Sequence, residues 1–457
     1  MASIIDAGAA QDFIEGSIWK GIFRMSWPML LIMLLNFLVG FTDIYVAGLL
    51  GPEVQAAVGF IEQLYFLLII LGNAISIGSV AIVSRAVGAG DKEESKQASR
   101  QCLGFGLLIA MVLMVAGLGI PRIIVNAAGF PREIADMAVI FLRIFSLSLG
   151  FNYFLIISSA ILRALGSPEK PLVSMSIFAA LNLVLDFALV FGWFPFPRLG
   201  YAGIAVSTSI SVTAATAINI LFLMKLRWAS LFRKLFGINR HFVRRLVSVS
   251  WPMALVMIAW NAGTVVIYNI LAHLPEGYIE SMAAYANGLR IEAIIFLPAF
   301  ALNMAASVLV GQNLGARKVD RAVRLGWQIA FTAGVLLGLL AAVLFIFARD
   351  IASILAQDPV VLDETVIYLR YNLVVAPIMA MSLTFSGGLQ GAGDTRGVMM
   401  VIVTAMWVIR LPLAYFLGVI VNWGAKGVWT AMISSMTIQG ALMVMRFHLG
   451  KWKTRAV

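Results

Sequence analysis

The chain has 457 residues, 61% hydrophobic and 12% charged, with a mean hydropathy of +0.96, whereas soluble domains carry about 25% charged residues. A water-soluble core cannot absorb that much apolar surface, so the composition excludes a soluble globular protein and makes the bilayer the solvent. The net charge of +11 is distributed over loops rather than gathered on one polar domain, which argues for topology and against a nucleic-acid partner.

The segment before Trp27 carries Asp6, Asp12 and Glu15, has no small-residue cleavage pattern and leads into a full-length span; a cleaved signal peptide is not expected. Apolar runs of about 20 residues then recur, each long enough to cross roughly 30 Å of hydrocarbon. They predict spans at 25–49, 60–83, 103–125, 137–162, 172–194 and 202–224, then 250–272, 286–311, 325–348, 366–389, 399–421 and 427–446. The runs are unbroken rather than alternating over ten residues, which excludes a β-barrel. The expected fold is all-α, with twelve transmembrane helices in two six-helix lobes, 1–224 and 250–457, joined by a basic linker at 225–249.

With an even number of spans and the N-terminus inside, the inner segments hold Lys20, Arg24, Arg85, Lys92, Lys96, Arg100, Arg163, Lys170, the linker, Arg317, Lys318, Arg321, Arg324, Arg396, Arg446, Lys451, Lys453 and Arg455. The outer loops hold only Arg122, Arg132, Arg198, Arg349 and Lys426. This asymmetry places both termini in the cytoplasm. The linker carries Lys225, Arg227, Arg233, Lys234, Arg240, Arg244 and Arg245 with no acid, and Trp228, Leu231, Phe232, Leu235 and Phe236 suit an interfacial helix on the anionic inner leaflet.

Internal echoes show a duplication. Ser26-Trp27-Pro28 opens the first half and Ser250-Trp251-Pro252 the second; RAVGAG at 85–90 is matched to GQNLGA at 311–316, LRALGS at 162–167 to LQGAGD at 389–394, and GYAG at 200–203 to GAKG at 424–427. Because each half has six spans, the halves are expected to be parallel repeats related by an axis along the membrane normal, an arrangement transporters use to rock about a central site. RAVGAGDKEE lacks phosphate-loop spacing and follows a helix rather than a strand, so it reads as a tight helix–helix turn.

An ionised carboxylate inside the membrane costs roughly 2.5–3.5 kcal/mol even on the lenient insertion scale. Asp43 in the first span, Asp186 in the fifth and Glu292 near the outer end of the eighth therefore stand out, with Glu62 at a span entrance. Asn36, Gly40 and Asp43 lie at i, i+4 and i+7, and Asn182 and Asp186 at i, i+4, so each set forms one polar stripe. Interhelical hydrogen bonding is the competing reading, and Asn182 alone fits it. Two aspartates in one lobe favour ion handling, since amides or hydroxyls join helices without the charge. The repeat positions of Asp43 fall among Val266, Ile267 and Tyr268, and those of Asp186 among Arg410, Leu411 and Pro412. Shared packing does not require the acids. A proton entering down about 100 mV supplies roughly 2.3 kcal/mol per charge, enough to drive another solute uphill.

Arg143, Arg290, Arg370 and Arg410 also lie in or near spans. Arg290 and Glu292 are two residues apart on nearly opposite helix sides, so they are expected to pair elsewhere or snorkel, as secondary charged groups. Asn261, Thr264 and Tyr268 with Trp260 are candidates for a cavity wall, against generic interhelical bonding. Abundant Met and Phe suit an adaptable cavity for lipophilic cations, though most are expected in packing or facing lipid. Cys102 is the only cysteine, which excludes an intramolecular disulfide, and His241, His273 and His448 lie far apart, which argues against a membrane-embedded enzyme.

Taken together, the SWP openings, the paired RAVGAG and GQNLGA turns, the LRALGSP and LQGAGDTR turns and the two six-helix halves resemble the multidrug and toxic compound extrusion (MATE) family over nearly the whole chain. Asp43, Asn182 and Asp186, with no acid in the spans at 250–272 and 366–389, resemble its DinF branch rather than its NorM branch. The resemblance implies an inner-membrane antiporter that exports amphipathic cations through a V-shaped cavity by alternating access, driven by protons or sodium. It implies a coupling site of Asp43, Asn182, Asp186 and Thr208, which would also be the sodium site, and a first helix that bends at Pro28 when Asp43 is protonated. Asn36, Phe141, Trp260, Asn261 and Tyr268 are the candidate substrate-cavity residues. Phe141 stands where DinF-type members often carry a tyrosine, which puts one hydrogen bond to the coupling site in question. No cofactor is expected, and the expected partners are small lipophilic cations and membrane lipids, with the chain a monomer. A flippase for lipid-linked precursors is the alternative, expected to line its cavity with several cationic residues; the candidates here are scattered.

Overall fold

Apolar runs wind into helices because hydrocarbon offers backbone groups no partner outside the chain. In the computed structural model, which describes residues 7–126, 132–225, 235–237 and 239–454, twelve helical segments are long and apolar enough to cross a membrane. After a short α1 (Ala7–Glu15), the first half contributes α2 (Ile18–Leu50), α3 (Pro52–Gly88), α4 (Lys92–Gly119), a short α5 (Pro121–Asn126), α6 (Arg132–Ala164), α7 (Glu169–Phe191) and α8 (Ala202–Leu223). The second contributes α9 (Arg240–Ala272), α10 (Tyr278–Ile295), α11 (Leu297–Gly315), α12 (Val319–Ile346), a short α13 (Ala348–Ser353), α14 (Pro359–Gly391), α15 (Thr395–Val403), α16 (Leu411–Tyr415) and α17 (Ala425–Leu449). Phe41, Val112, Leu339 and Val374 are among the large apolar side chains that point outward, as a lipid-facing surface requires.

Two compact units divide the chain: Trp27–Ser250 lie in the first, and Ile18–Ser26 with the residues from Trp251 onward in the second. Two of the three changes of unit fall inside a continuous helix, one residue before Pro28 in α2 and one before Pro252 in α9; the other falls between Ser17 and Ile18, at the start of α2. A proline adds no N–H to the helix ladder, so each SWP sits where its helix is least tied along its axis.

The spans expected at 103–125 and 325–348 are interrupted at Ile120 and Phe347, where the short α5 and α13 follow, and two other spans depart further from the single runs expected. The eighth, expected at 286–311, is broken at Phe296 between α10 and α11. Pro298 lies in the first turn of α11, where its missing N–H costs nothing, but its ring would clash with the carbonyl four residues earlier if the helix ran on. The eleventh passes through π-helical turns at Thr404–Arg410 and Phe416–Ile420, on either side of Pro412 in α16. Widened turns of this kind accommodate a residue that cannot donate.

The turns confirm the duplication and correct its register at one place. In the first half, the N–H groups of Ala89, Gly90 and Asp91 donate to Arg85, Val87 and Ala86; in the second, those of Ala316, Arg317 and Lys318 donate to Gln312, Leu314 and Asn313. The structural match to RAVGAG is thus QNLGAR at 312–317, one residue later than the glycine spacing suggested. Gly90, at φ +74°, corresponds to Arg317, at φ +58°. LRALGS and LQGAGD keep the expected register: Gly166 donates to Arg163 and Ser167 to Leu162, as Gly393 does to Gln390 and Asp394 to Leu389.

The linker's expected interfacial helix lies mostly at 226–234, outside the described residues; Leu235 and Phe236 form a turn. The chain between this turn and the start of α9 is clamped to α4. Gln101 donates to the Gly237 carbonyl at 2.7 Å and accepts from the Asn239 N–H at 2.9 Å, and Arg245 pairs with Glu94 at 3.0 Å. Cys102, beside this clamp, is buried and forms no disulfide.

Candidate functional site

The α7–α8 hairpin is the scaffold of the first unit's polar centre. Small residues let these helices approach closely: a Cβ on Gly203, at the start of α8, would lie 2.9 Å from the backbone of Leu189 on α7. The Leu199 N–H also donates to the Leu189 carbonyl at 2.7 Å. This fixes α8 so that Ser207 and Thr208 face Asn182 and Asp186 across the seam, all four buried.

Asn182 Nδ2 donates to Thr208 Oγ1 at 3.2 Å and lies 3.4 Å from Ser207 Oγ. Ser207 Oγ donates to Asp186 Oδ1 in a short hydrogen bond. Thr208 Oγ1 lies 3.0 Å from the Ile204 carbonyl and 3.5 Å from Asp43 Oδ2, so its single proton favours the backbone and reaches Asp43 only weakly. Asp43 enters from α2 into direct interaction with Asp186 and Asn182, and Glu62 of α3 adds its charge to the same field. Three buried oxygens have no hydrogen-bond partner among the described residues: Asp43 Oδ1, Asp186 Oδ2 and Asn182 Oδ1. All three are acceptors. An acceptor-only cluster held out of water calls for a cation or a proton, because no neighbouring donor satisfies it.

The fold therefore brings together Asp43, Asn182, Asp186 and Thr208, and adds Ser207, absent from the sequence expectation. The only signal for Ser207 is its place beside Thr208 in a Ser-Thr-Ser run. Asn36 lies on the same helix as Asp43 but is exposed, and its amide donates to its own helix at the Ile32 carbonyl, 2.9 Å away. Phe141 is buried between Phe145 and Tyr201, each with ring centroids 6.1 Å away, as part of the apolar core. Pro28 is buried within α2.

In the second unit, Asn261 donates to the Met257 carbonyl at 2.9 Å, and Trp260 lies under the Arg410 guanidinium at 5.4 Å. Tyr268 packs edge-on against Tyr285 at 4.9 Å. Arg290 is exposed while Glu292 is half-buried and interacts with Tyr368 and Arg410. The two-residue offset thus separates these charges, as the helix geometry requires.

A protein-family model described as MatE matches the chain twice, over residues 28–188 and 252–416, each match opening on the proline of an SWP. The probable multidrug resistance protein NorM of Thermotoga maritima is 26% identical over 445 residues, 96% of this chain and 94% of that protein. The multidrug resistance protein PmpM of Pseudomonas aeruginosa is 25% identical over 451 residues, 96% of this chain and 92% of that protein. A crystal structure of MATE in the bent conformation shares the fold, with a TM-score of 0.88 at 20% identity, covering 96% of this chain and 97% of that one.

Proposed function

The chain belongs to the MATE family of membrane transporters, and on that premise we propose that it is a secondary active antiporter that exports amphipathic, mostly cationic organic compounds in exchange for protons. The relatives named as multidrug resistance proteins support drug-like substrates. One observation carries the coupling assignment: Asp43 Oδ1, Asp186 Oδ2 and Asn182 Oδ1 converge without donors in the first unit. A single proton shared by the two aspartates satisfies one oxygen of each and relieves the repulsion of adjacent carboxylates. Ser207 and Thr208 orient the acids, and Asn182 ties the hydroxyls together. Sodium is the second candidate for the same oxygens, since carboxylate, amide and hydroxyl oxygens also suit a hard cation.

In this reading the occupied and empty coupling site favour different conformations, and α2, which carries both Asp43 and Pro28, transmits the change by bending at the proline. The chain works in the cytoplasmic membrane as a monomer, with both termini inside. Efflux of a fluorescent lipophilic cation from proteoliposomes, driven by an imposed proton gradient and separately by a sodium gradient, tests the proposal. Proton-driven efflux without sodium is expected. Efflux that ignores both gradients overturns antiport, and efflux driven by sodium alone moves the assignment to the second ion.

A further inference from the structure

Asp43 and Asp186 are almost sealed, at 7% and 0% exposure, so a coupling ion needs a way in. A third carboxylate stands beside them. Glu62 is half-buried on α3, and its charge reaches Asp43. The chain folds back at Gly51, between α2 and α3; Asp43 precedes this glycine by eight residues and Glu62 follows it by eleven. At 1.5 Å per residue the two lie about 12 Å and about 16 Å from the turn, less than one helical turn apart in depth. Side chains lean toward the start of their own helix, so Asp43 leans away from Gly51 and Glu62 toward it, which brings the carboxylates level. Val46 and Ala47 of α2 share one core with Val58 and Ile61 of α3, so the two helices are packed at this depth.

Among the described residues Glu62 forms no hydrogen bond and no ion pair, and its oxygens are not sealed from solvent. It therefore does nothing for packing that would account for its charge. Gln55, Gly59 and Glu62 lie at i, i+4 and i+7, on one face of α3. Gln55 and Gly59 are exposed; the Gln55 amide lies against Gly48 of α2, and a Cβ on Gly59 would meet nothing within 4 Å. This face is open along the α2–α3 seam and leads from the Gly51 end to Glu62. Hydrocarbon does not tolerate a carboxylate without a partner, whereas water does, so the open side of Glu62 is wet.

We propose that Glu62 is the entry group of the coupling site: the coupling cation arrives from water along the Gln55–Gly59 face and passes from the Glu62 carboxylate to Asp43 Oδ1, the buried acceptor without a donor. This role rests on the coupling reading of Asp43 and Asp186. A proton taken from water by Glu62 moves to Asp43 Oδ1, and Glu62 returns to its ionised form; the cluster gains one positive charge and nothing else is consumed. The titratable groups around Glu62 are Asp43 of α2, Asp186 of α7, Tyr65 one turn on in α3 and Tyr201 at the start of α8; the α6 residues in the same core, Phe141, Leu142 and Phe145, carry no charge.

Two rates in proteoliposomes test the role: gradient-driven efflux of a radiolabelled lipophilic cation, and its exchange against unlabelled cation with no gradient, which needs no ion entry. Both are followed from about pH 5 to about pH 9. Glu62→Gln is expected to lower driven efflux about tenfold or more relative to exchange and to move the half-maximal rate to higher proton concentration. Glu62→Asp, which keeps a carboxylate, recovers part of both. Gly59→Leu fills the open face, leaves the carboxylate in place and lowers the same ratio. With Asp43→Asn uncoupled in parallel, a parent-like ratio in Glu62→Gln, or efflux and exchange that fall together, overturns the entry role and leaves the coupling reading standing. Asp43→Asn that still follows the gradient overturns the coupling reading, and the entry role with it. Where Glu62→Gln does not fold, a parent-like ratio in Gly59→Leu counts against the entry path.

Discussion

Arg446 on α17 forms a forked ion pair with Asp394, donating from Nε at 2.7 Å and from Nη2 at 2.9 Å. It ties the α14–α15 turn to the last helix. The carboxylate side is almost enclosed, at 2% exposure, and the guanidinium is 26% exposed. Removing one partner of a fully buried pair costs about 3–5 kcal/mol, and water at the guanidinium reduces this to about 2–3 kcal/mol for Arg446→Leu. On a unit of this size the apparent melting temperature falls by roughly 4–12 °C. The Asp394→Leu/Arg446→Leu double variant recovers part of that loss, because no lone charge remains in the turn. Gly397 contacts the guanidinium so closely that Gly397→Ala displaces it and lowers stability in the same direction. Thermal unfolding of the purified protein in one detergent reads both single variants of the pair, the double variant and Gly397→Ala. Arg446→Leu melting within about 1 °C of the parent, or a double variant no better than the worse single one, would mean that the ion pair does not hold the turn.

Arg317 occupies a left-handed position that its repeat counterpart fills with glycine, so Arg317→Gly stabilises by about 0.5–1 kcal/mol after the added freedom of the unfolded chain is deducted, visible as a small rise in melting temperature. Gly203→Ala sets a methyl group against the Leu189 backbone and costs about 1–3 kcal/mol, while also shifting Ser207 and Thr208 and slowing ion-driven efflux. Asn182→Leu removes the amide that links both hydroxyls to the acids; ion-driven efflux is expected to fall about tenfold or more, with the melting temperature changed far less.

The twelve spans are legible in the sequence because charge is so scarce along the chain that apolar runs stand alone. Asp43 and Asp186 are legible for the same reason: each is an acid surrounded by residues that lipid tolerates. Ser207 is not, because a serine in a membrane helix commonly turns its hydroxyl to the backbone, and Ser207 Oγ lies within hydrogen-bond distance of both the Ile204 carbonyl and Asp186 Oδ1. The partners of Glu292 come from α14 and from a π-helical turn, and spacing along one helix says nothing about which distant side chains close on it. The break at Phe296 follows from Pro298, whose effect is masked by the hydropathy of the residues around it. The register at 311–316 slips by one residue because glycine is the visible repeat in the sequence, whereas the conserved geometry is the hydrogen-bonded turn, in which Arg317 takes the glycine conformation.

In the proposed function the Asp43–Asp186 cluster couples an ion gradient to export. Its most direct test is gradient-driven efflux from proteoliposomes containing the parent protein, Asp43→Asn or Asp186→Asn, at matched protein content. Efflux that follows the gradient in the parent and loses that dependence in both variants is the predicted result. Undiminished gradient-driven efflux in both variants contradicts it.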